Sequence, residues 1–355
     1  MPLPPLRFTP LLKPRAWGGY RLADYGKDVA PAPAPAIGES WEIADLAPPV
    51  VDGVSKVATG PFQGATLSGL MESHRSALLG QARDCRGRFP LLVKYLDASE
   101  NLSVQVHPTA AYAERHPGAH VKDEAWFIVR AEPGAAIYRG IKPGVTAAAF
   151  RASIARGTAV DCLERMPVRA GDYVPLQSGT CHALGAGVLV AEVQTPSDTT
   201  FRVFDWDRNE PGRPLHVDEA MECTLFGADQ RLDEQRPATL GASTLDWSDG
   251  LRAATLGANR NFSVSAVEAS PSGDAAPLEL DAAGAPEVLM LTAGEATLVA
   301  AGHRPERLRA GDSVLLAAEV TRTTLHLDPG AVALRAAVMV DALRQDSSAR
   351  PWRAA

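Results

Sequence analysis

The chain has 355 residues, of which 46% are hydrophobic and 22% charged, and its formal net charge at pH 7 is −7. This length suggests two domains of ordinary size. The acidic balance argues against a nucleic-acid or membrane-surface partner, although a local cluster of Lys and Arg would still suit an anionic substrate.

The cysteines and the N-terminal residues indicate a reducing compartment. No CxxC pair is present, so the sequence predicts neither a disulfide framework nor a thiolate zinc site. The N-terminus is too rich in proline for a signal peptide, and no stretch approaches the roughly 20 apolar residues of a membrane helix. We therefore expect a cytoplasmic protein whose four thiols are reduced: Cys85, Cys162, Cys181 and Cys223.

Short apolar runs between turn residues, with 30 Gly and 28 Pro, favour a mainly β protein. A helix is predicted at Leu67–Leu79, where apolar residues have helical spacing. Thr146 and Asp218 are predicted N-caps of two further helices, Thr146–Ala155 and Asp218–Leu225. The first series of predicted strands is Phe89–Leu96, Leu102–His107, Ala125–Val129, Asp172–Leu176 and Val188–Gln194.

A polar stretch, Gly227–Gly250, separates this series from a second one. It predicts a catalytic domain at 1–226, a connecting segment at 227–250 and a second β-domain at 251–355. The second series of predicted strands is Phe262–Val267, Val288–Leu291, Ala296–Val299, Ser313–Leu316 and Ala331–Val338.

A short internal repeat relates the two predicted domains. Val168-Arg-Ala-Gly-Asp-Tyr-Val recurs as Leu308-Arg-Ala-Gly-Asp-Ser-Val, each an apolar strand entered through a Gly-Asp turn. The first copy leads to His182, and the matching place in the second copy is Arg322. The first domain is thus predicted to hold a metal, and the second domain is not.

The segment from Asn101 to Pro108 carries the most chemical information. Alternate side chains of a strand share a face, so Ser103, Gln105 and His107 are predicted to form one polar row. Burying such a row without partners is costly, which favours a lined cavity over a packed sheet. A solvent-facing strand edge is the alternative. The opposite face carries Leu102, Val104 and Val106.

Two further residues complete a possible metal site. Glu124 begins another apolar strand, and His182 follows the Gly-Asp turn of the repeat. Two imidazoles, one carboxylate and the amide oxygen of Gln105 would suit Zn²⁺, which accepts nitrogen and oxygen and can keep a position open for substrate. Alone, each histidine is also compatible with a hydrogen-bonded structural role.

The sequence resembles type I mannose-6-phosphate isomerases, particularly their shorter bacterial branch. The resemblance runs in order over roughly residues 10–226, and the remainder resembles the family only as another cupin-like β-domain. The matching stretches are Trp17–Gly19, Gly38–Asp45, Phe89–Asp97, Leu102–Pro108, Lys122–Trp126, Gly179–Leu184, Gln194–Arg202 and Arg213–His216.

This resemblance implies two cupin-like (jelly-roll) β-domains with a few added helices. It implies one Zn²⁺ per chain and a sugar-phosphate substrate. The sequence has no evident glycine loop of the kind that cradles nucleotide phosphates, so no nucleotide cofactor is expected. The implied metal ligands are Gln105, His107, Glu124 and His182. The implied catalytic residues are Arg202, Lys122, Asp198 and Glu39. The residues implied for substrate binding are Trp17, Ser103, Lys94 and Arg208, of which the last three match positions expected to receive phosphate.

The implied reaction interconverts mannose 6-phosphate and fructose 6-phosphate through a cis-enediol. The proton carrier stays open among Lys122, Glu39 and Asp198. Two positions depart from the family: Gln177 stands where a proline is usual, and Leu184 stands where longer relatives have a tyrosine. The alternatives are another metal-dependent cupin enzyme, such as an oxygenase, and a non-enzymatic sugar-binding cupin.

Overall fold

The protein is mainly antiparallel β-sheet, as predicted. This computed structural model describes residues 2–208, 212–232, 237–240, 250–273, 277–280, 284–340 and 353–354. The strands of the first half are β1 (Leu11–Gly19), β2 (Ile37–Ile43), β3 (Leu92–Ala98), β4 (Val104–Val106), β5 (Glu124–Ala131), β6 (Ala136–Ile141), β7 (Leu163–Pro167), β8 (Asp172–Leu176), β9 (His182–Leu184), β10 (Val188–Gln194) and β11 (Phe201–Phe204).

The second half continues with further strands, the first of which, Ala238–Thr239, pairs with β8 of the first half. Its strands are β12 (Ala238–Thr239), β13 (Leu251–Ala258), β14 (Phe262–Ala269), β15 (Leu278–Leu280), β16 (Glu287–Ala293), β17 (Glu295–Ala300), β18 (Glu306–Arg309), β19 (Ser313–Leu316), β20 (Thr323–Leu327), β21 (Val332–Val338) and β22 (Arg353–Ala354). All ten predicted strands are confirmed, with ends displaced by up to three residues. The strands that were not predicted are β1, β2, β6, β7, β9, β11, β12, β13, β15, β18, β20 and β22.

The helices of the described residues are short and lie between strands. They are α1 (Leu67–Ser73), α2 (Arg75–Leu79), α3 (Ala110–Arg115), α4 (Ala147–Ala155) and α5 (Val217–Cys223), with 3₁₀ turns at Arg21–Tyr25, Ala159–Cys162 and Gly227–Gln230. None is long and apolar enough to cross a membrane.

Two helix predictions need correction. The predicted helix Leu67–Leu79 is interrupted at His74, whose backbone leaves the helical region. Thr146 is confirmed as an N-cap, because its side chain accepts a hydrogen bond from Ala149 N. The Asp218 N-cap is wrong: His216 holds that position, and Asp218 lies in the first turn of α5. An acidic side chain there is still favourable, since the helix N-terminus carries partial positive charge.

Two sheets of the first half supply the candidate site. One has the order β1-β2-β3-β10-β5-β8-β12, and the other has the order β11-β4-β9-β6-β7. In the first sheet, Glu192 of β10 pairs with Lys94 on one side and Trp126 on the other. In the second sheet, Gln105 of β4 pairs with Arg202 and His182. Residues distant in the sequence thus become neighbours across strands.

The second half forms two five-stranded sheets, β13-β14-β21-β16-β19 and β18-β17-β20-β15-β22. Its largest apolar cluster is shared with the first half, joining Leu91 and Leu189 to Leu334. Polar contacts cross as well, because Tyr95 donates its hydroxyl hydrogen to Leu291 O and Lys27 Nζ donates to Gly311 O. The division at 227–250 stays a prediction, and its residues 233–236 and 241–249 lie outside the described residues.

The internal repeat is visible in the backbone. Gly171 and Gly311 adopt positive φ angles of 91° and 97°, which favour glycine. Each turn is closed by the following aspartate, which accepts a hydrogen bond from the residue three before it: Arg169 N to Asp172 at 2.8 Å, and Arg309 N to Asp312 at 2.9 Å.

Strand register extends the repeat to the ligand positions. Glu124 pairs with Leu176 in the first half and Glu287 pairs with Leu316 in the second, at equal distances from the two turns. Following β7 to β6 to β9, and β18 to β17 to β20, places Thr323 rather than Arg322 at the position of His182. The second half therefore keeps the glutamate and lacks this histidine.

Glu287 is neutralised by a guanidinium. Arg335 Nε donates to Glu287 Oε2 at 2.7 Å, and its Nη2 contacts the other oxygen. Both side chains are buried. Register places Arg335 at the position that Glu192 holds in the first half. A cation from the chain thus compensates the buried carboxylate.

We expect Arg335→Met to lower the free energy of unfolding by about 3–5 kcal/mol, because it leaves a buried carboxylate unpaired. Adding Glu287→Leu to the same chain should recover most of that loss, since no buried charge then remains. Urea unfolding of both variants measures the two values. A free energy of unfolding of Arg335→Met within about 1 kcal/mol of the wild-type value would contradict this account.

Candidate metal centre

A cleft of about 770 Å³ receives side chains from both sheets of the first half. Nine of the twelve predicted site residues line it: Trp17, Glu39, Lys94, Ser103, Gln105, Lys122, Glu124, Asp198 and Arg202. Further lining residues that sequence reasoning did not select include Arg15, Trp126, Glu192, Thr200 and Arg213.

Three buried side chains at the cleft converge on one point. The candidate ligand atoms of His107, Glu124 and His182 lie within 4.8 Å of one another. Glu124 Oε2 is 3.2 Å from His107 Nε2 and 3.4 Å from His182 Nε2. Gln105 Nε2 is 3.4 Å from His182 Nε2. The structure therefore brings together all four residues that the sequence indicated as ligands.

Strand alternation in β4 produces this convergence. Val104 and Val106 are fully buried in an apolar cluster, whereas Ser103 and Gln105 line the cleft. The register of β4 with β9 then sets Gln105 opposite His182. The predicted polar row is confirmed, because packing the two valines leaves only the other face for the polar side chains.

Hydrogen bonds orient both imidazole rings. His107 Nδ1 lies 3.0 Å from Thr199 O, and His182 Nδ1 lies 2.8 Å from Thr180 O. A carbonyl oxygen only accepts, so each Nδ1 carries a hydrogen, and Nε2 is the ring nitrogen left to bind a metal. Burial, with help from the Lys122 charge, lowers the pKa of His107 to about 4, which keeps that ring neutral at pH 7.

Glu124 completes an electron-rich pocket. Burial opposes ionisation of this carboxyl, but Lys122 and His107 outweigh burial and hold its pKa well below the usual range. Lys122 Nζ lies 2.5 Å from Oε1, yet neither oxygen has a hydrogen-bond partner of normal geometry among the described residues. Two lone pairs and an ionised carboxylate directed at one point fit a divalent cation.

A buried ionic network lies beside the centre. Glu39 accepts hydrogen bonds from Arg15 Nε and Trp41 Nε1, both at 2.6 Å. Lys94 Nζ is 3.0 Å from Glu192 and 3.5 Å from Glu39. Burial favours the neutral amine of Lys94, but the two carboxylates outweigh it and raise its pKa.

The same network determines the charge of Glu39. Burial opposes ionisation, but Lys94 and Arg15 outweigh it and lower the pKa of Glu39 to about 2. The ionised form therefore stabilises the fold above about pH 4.5, and this stabilisation is lost as pH falls towards 2. In urea unfolding, we expect the stability difference between wild type and Glu39→Gln to shrink by about 3 kcal/mol from pH 5 to pH 2. A difference independent of pH would contradict the ion pairing.

Arg202 and Asp198 lie at different depths in the cleft. Arg202 is half-buried, and burial and the neighbouring Arg213 lower its pKa from the ordinary arginine value. Asp198 is exposed, whereas Trp17 is buried. Arg202 thus offers a partly desolvated cation opposite Gln105, the neighbour of the metal centre.

Arg208 does not line this cleft. Its guanidinium donates to Asp205 Oδ1 at 2.8 Å and also contacts Asn101 O. It borders a separate depression of about 310 Å³ with Trp206 and Ser99. The structure therefore separates Arg208 from the other predicted phosphate residues, because Asp205, three residues before it, holds its side chain.

The missed lining residues had only weak sequence signals. Glu192 is a charged residue inside the apolar run Val188–Gln194, and such a residue in a buried strand is a candidate for a lined cavity. Arg15 stands two residues before Trp17, so the two side chains would share one face of a strand, but β1 itself was not predicted. Recognition of these residues required strand register, which local sequence does not contain.

Neither departure from the family pattern displaces His182. The backbone carbonyl oxygen of Gln177 accepts a hydrogen bond from Thr180 N at 3.0 Å, which closes the turn before the histidine. Leu184 is fully buried in an apolar cluster with Trp126. The Leu184 side chain is therefore part of the apolar core.

Comparisons with known proteins identify the family of the chain. Residues 6–135 match the model of the type I phosphomannose isomerase catalytic domain. The chain is 40% identical over 222 residues to mannose-6-phosphate isomerase ManA of Bacillus subtilis, an alignment covering 61% of this chain and 67% of ManA. The chain belongs to the type I phosphomannose isomerase family. A Streptococcus mutans mannose-6-phosphate isomerase is 39% identical over 227 residues, covering 63% of this chain and 68% of that relative.

Structural similarity to this family extends across both halves of the chain. The crystal structure of mannose 6-phosphate isomerase from Bacillus subtilis has a TM-score of 0.79 and 28% sequence identity. The superposition covers 94% of this chain and 99% of that one. The predicted cupin-like fold is thereby confirmed.

Proposed function

We propose that this enzyme interconverts mannose 6-phosphate and fructose 6-phosphate in the 770 Å³ cleft. The observation that carries the proposal is the convergence of His107, Glu124 and His182 beside Lys122 and Arg202. Relatives named mannose-6-phosphate isomerase support the choice of substrate. A small sugar phosphate is therefore the proposed partner. A cytoplasmic location and the absence of nucleic-acid, membrane and nucleotide partners stay predictions.

We assign one Zn²⁺ per chain to the centre, held by Gln105, His107, Glu124 and His182. When bound, zinc supplies Lewis acidity that polarises the sugar carbonyl and stabilises negative charge on its oxygens. Gln105 would turn its amide so that the oxygen faces the ion, because its nitrogen now lies 3.4 Å from His182 Nε2. Two imidazole nitrogens and one carboxylate suit zinc, and the same donors also hold Fe(II) in non-haem oxygenases. Relatives named mannose-6-phosphate isomerase, rather than the donor set, favour the isomerase reading over an oxygenase.

The chain's own residues then handle charge and protons. Isomerisation takes the proton from C2 of the open-chain aldose and returns it to C1, while a hydroxyl proton passes from O2 to O1. The intermediate is a cis-enediol whose oxygens carry developing negative charge. Arg202, a partly buried cation in the cleft, is placed to stabilise that charge through two N–H groups.

Among the candidate proton carriers, the contacts favour Lys122. Its Nζ lies at the centre of the site, 2.5 Å from Glu124 and 3.5 Å from His107. Glu39 is a weak base because its pKa is about 2 and both of its oxygens accept hydrogen bonds. Asp198 is exposed, so water competes for its carboxylate. We therefore propose that Lys122 Nζ is the group that takes the C2 proton and returns it to C1.

Phosphate binding by Ser103, Lys94 and Arg208 stays a prediction. Ser103 lines the cleft and can donate its hydroxyl hydrogen. Lys94 already pairs with Glu39 and Glu192, and Arg208 with Asp205, so neither charge is left uncompensated. We therefore rank Ser103 first in this set.

Turnover in heavy water tests the proposal. The purified protein should convert mannose 6-phosphate into fructose 6-phosphate, and deuterium from the solvent should appear at C1 of the product, because the base exchanges part of its proton with water. No turnover in a folded, zinc-loaded sample would overturn the substrate assignment. Sugar binding without turnover would favour the binding-protein alternative.

A further inference from the structure

Asp123 lies between two residues of the centre and faces the other way. Lys122 and Glu124 both line the cleft, whereas the Asp123 side chain, just before β5, contacts Ser178 and Asn261. Asp123 is nonetheless buried, with 6% of its surface exposed. A buried carboxylate requires partners, and two of them come from other segments of the chain.

The first partner lies on the loop that presents His182. Ser178 N donates to Asp123 Oδ1 at 3.0 Å, and Ser178 Oγ accepts from Lys122 N at 2.8 Å. The next residue of that loop, Gly179, donates its N–H to His107 O at 3.0 Å. Asp123 thus belongs to a set of hydrogen bonds that joins the backbone segments of all three clustered ligands.

The second partner comes from the second half of the chain. Asn261 Nδ2 donates to Asp123 Oδ2 at 2.8 Å across 138 positions of sequence. In this contact the amide nitrogen donates and the carboxylate oxygen accepts. Arg260 on the same turn is mostly exposed, with its Nε 3.8 Å from the same oxygen.

The turn that carries Asn261 is itself fixed. Asn259 Oδ1 accepts hydrogen bonds from Asn261 N at 2.8 Å and from Phe262 N at 3.0 Å. Asn261 O accepts from Met339 N at 2.9 Å, beyond the end of β21. The amide therefore reaches Asp123 from a backbone held on both sides by the second half of the chain.

We propose that Asn261 is a positioning residue through which the second half of the chain orients the metal centre. The proposal rests on the proposed zinc site and not on the choice of sugar. Metal affinity is sensitive to ligand placement, because donor atoms must be held in the bound geometry before the ion arrives. Asn261 holds the Asp123 side chain in place. Asp123 in turn holds the backbone that carries its two neighbours, Lys122 and Glu124.

The test is the zinc dissociation constant of the full chain, measured by competition with a chromophoric chelator. We expect Asn261→Ala to weaken zinc binding roughly tenfold, the lower end of the range for residues that support metal ligands. Arg304→Ala, at an exposed position of the second half, is the control and should bind zinc as wild type does. The melting temperature of the metal-free protein is measured alongside.

A donor–acceptor exchange makes the test sharper. Asn261→Asp should weaken zinc binding, because it places two carboxylates against one another. Asp123→Asn is the matching substitution on the other side of the contact. Combined in one chain they restore one donor and one acceptor, and the constant should return to within about threefold of wild type.

Two results would overturn the proposal. One is a wild-type zinc constant for Asn261→Ala with only a lower metal-free melting temperature, since the contact would then be structural. The other is a wild-type chain that does not bind zinc. If zinc binds as expected but mannose 6-phosphate is not isomerised, the proposed function fails and the positioning role stands.

Discussion

Glu124→Gln is expected to bind zinc poorly and to lose at least about a thousandfold in turnover, the equivalent of about 4 kcal/mol of transition-state stabilisation. The amide has nearly the same shape as the carboxylate but lacks its negative charge. In wild type that charge lies 3.2 Å and 3.4 Å from two imidazole nitrogens. Without it, the remaining donors of the centre are neutral. Metal analysis and steady-state kinetics on the same sample measure both losses.

Glu132→Gln is the matched control for this substitution. Glu132 follows the end of β5, the strand that Glu124 begins, and its side chain is 57% exposed. Its replacement removes the same charge without approaching the cleft, so zinc content and turnover should stay at wild-type values. Retention of zinc and turnover by Glu124→Gln would remove Glu124 from the centre.

Arg202→Ala should keep its zinc and lose at least about tenfold in kcat, the effect of removing about 1.4 kcal/mol of transition-state stabilisation. The guanidinium lies in the cleft opposite Gln105 but is not one of the clustered ligand donors. Losses in kcat and in kcat/KM should be similar, because the contact forms mainly in the transition state. The kcat of Arg202→Lys should lie between those of wild type and Arg202→Ala, because lysine keeps the charge and loses the planar pair of donors.

An exposed arginine supplies the control for the loss of charge. Arg151 on α4 is 51% exposed and pairs with Asp218. Arg151→Ala should leave kcat unchanged. Wild-type kcat in Arg202→Ala would exclude Arg202 from catalysis, and loss of zinc in the same variant would show that it acts on the centre instead.

Sequence alone predicted the parts of the site that follow from local periodicity. Val104 and Val106 flank Gln105, so packing them determined which face carries the polar row. The turn at Gly171 was predicted for a similar reason, because a Gly-Asp pair before an apolar run indicates a strand entry. Both conclusions needed fewer than ten consecutive residues.

Contacts that depend on long-range register were beyond the sequence. Glu192 joins Lys94 and Trp126 only because β10 lies between β3 and β5. Asn261 reaches Asp123 across 138 positions. Counting residues from the repeat gave Arg322 as the counterpart of His182, and strand pairing gives Thr323, because the loops before the two strands differ by one residue. Local patterns carry no information about such pairings.

Removal and return of zinc on one preparation tests the central claim most directly. Turnover of mannose 6-phosphate is measured on the purified protein, then after chelation, then after addition of one equivalent of Zn²⁺ per chain. The account predicts that chelation abolishes turnover and that one equivalent restores it. Full turnover in a chelated sample shown by metal analysis to contain no metal would contradict the assignment of His107, Glu124 and His182 to a catalytic metal centre.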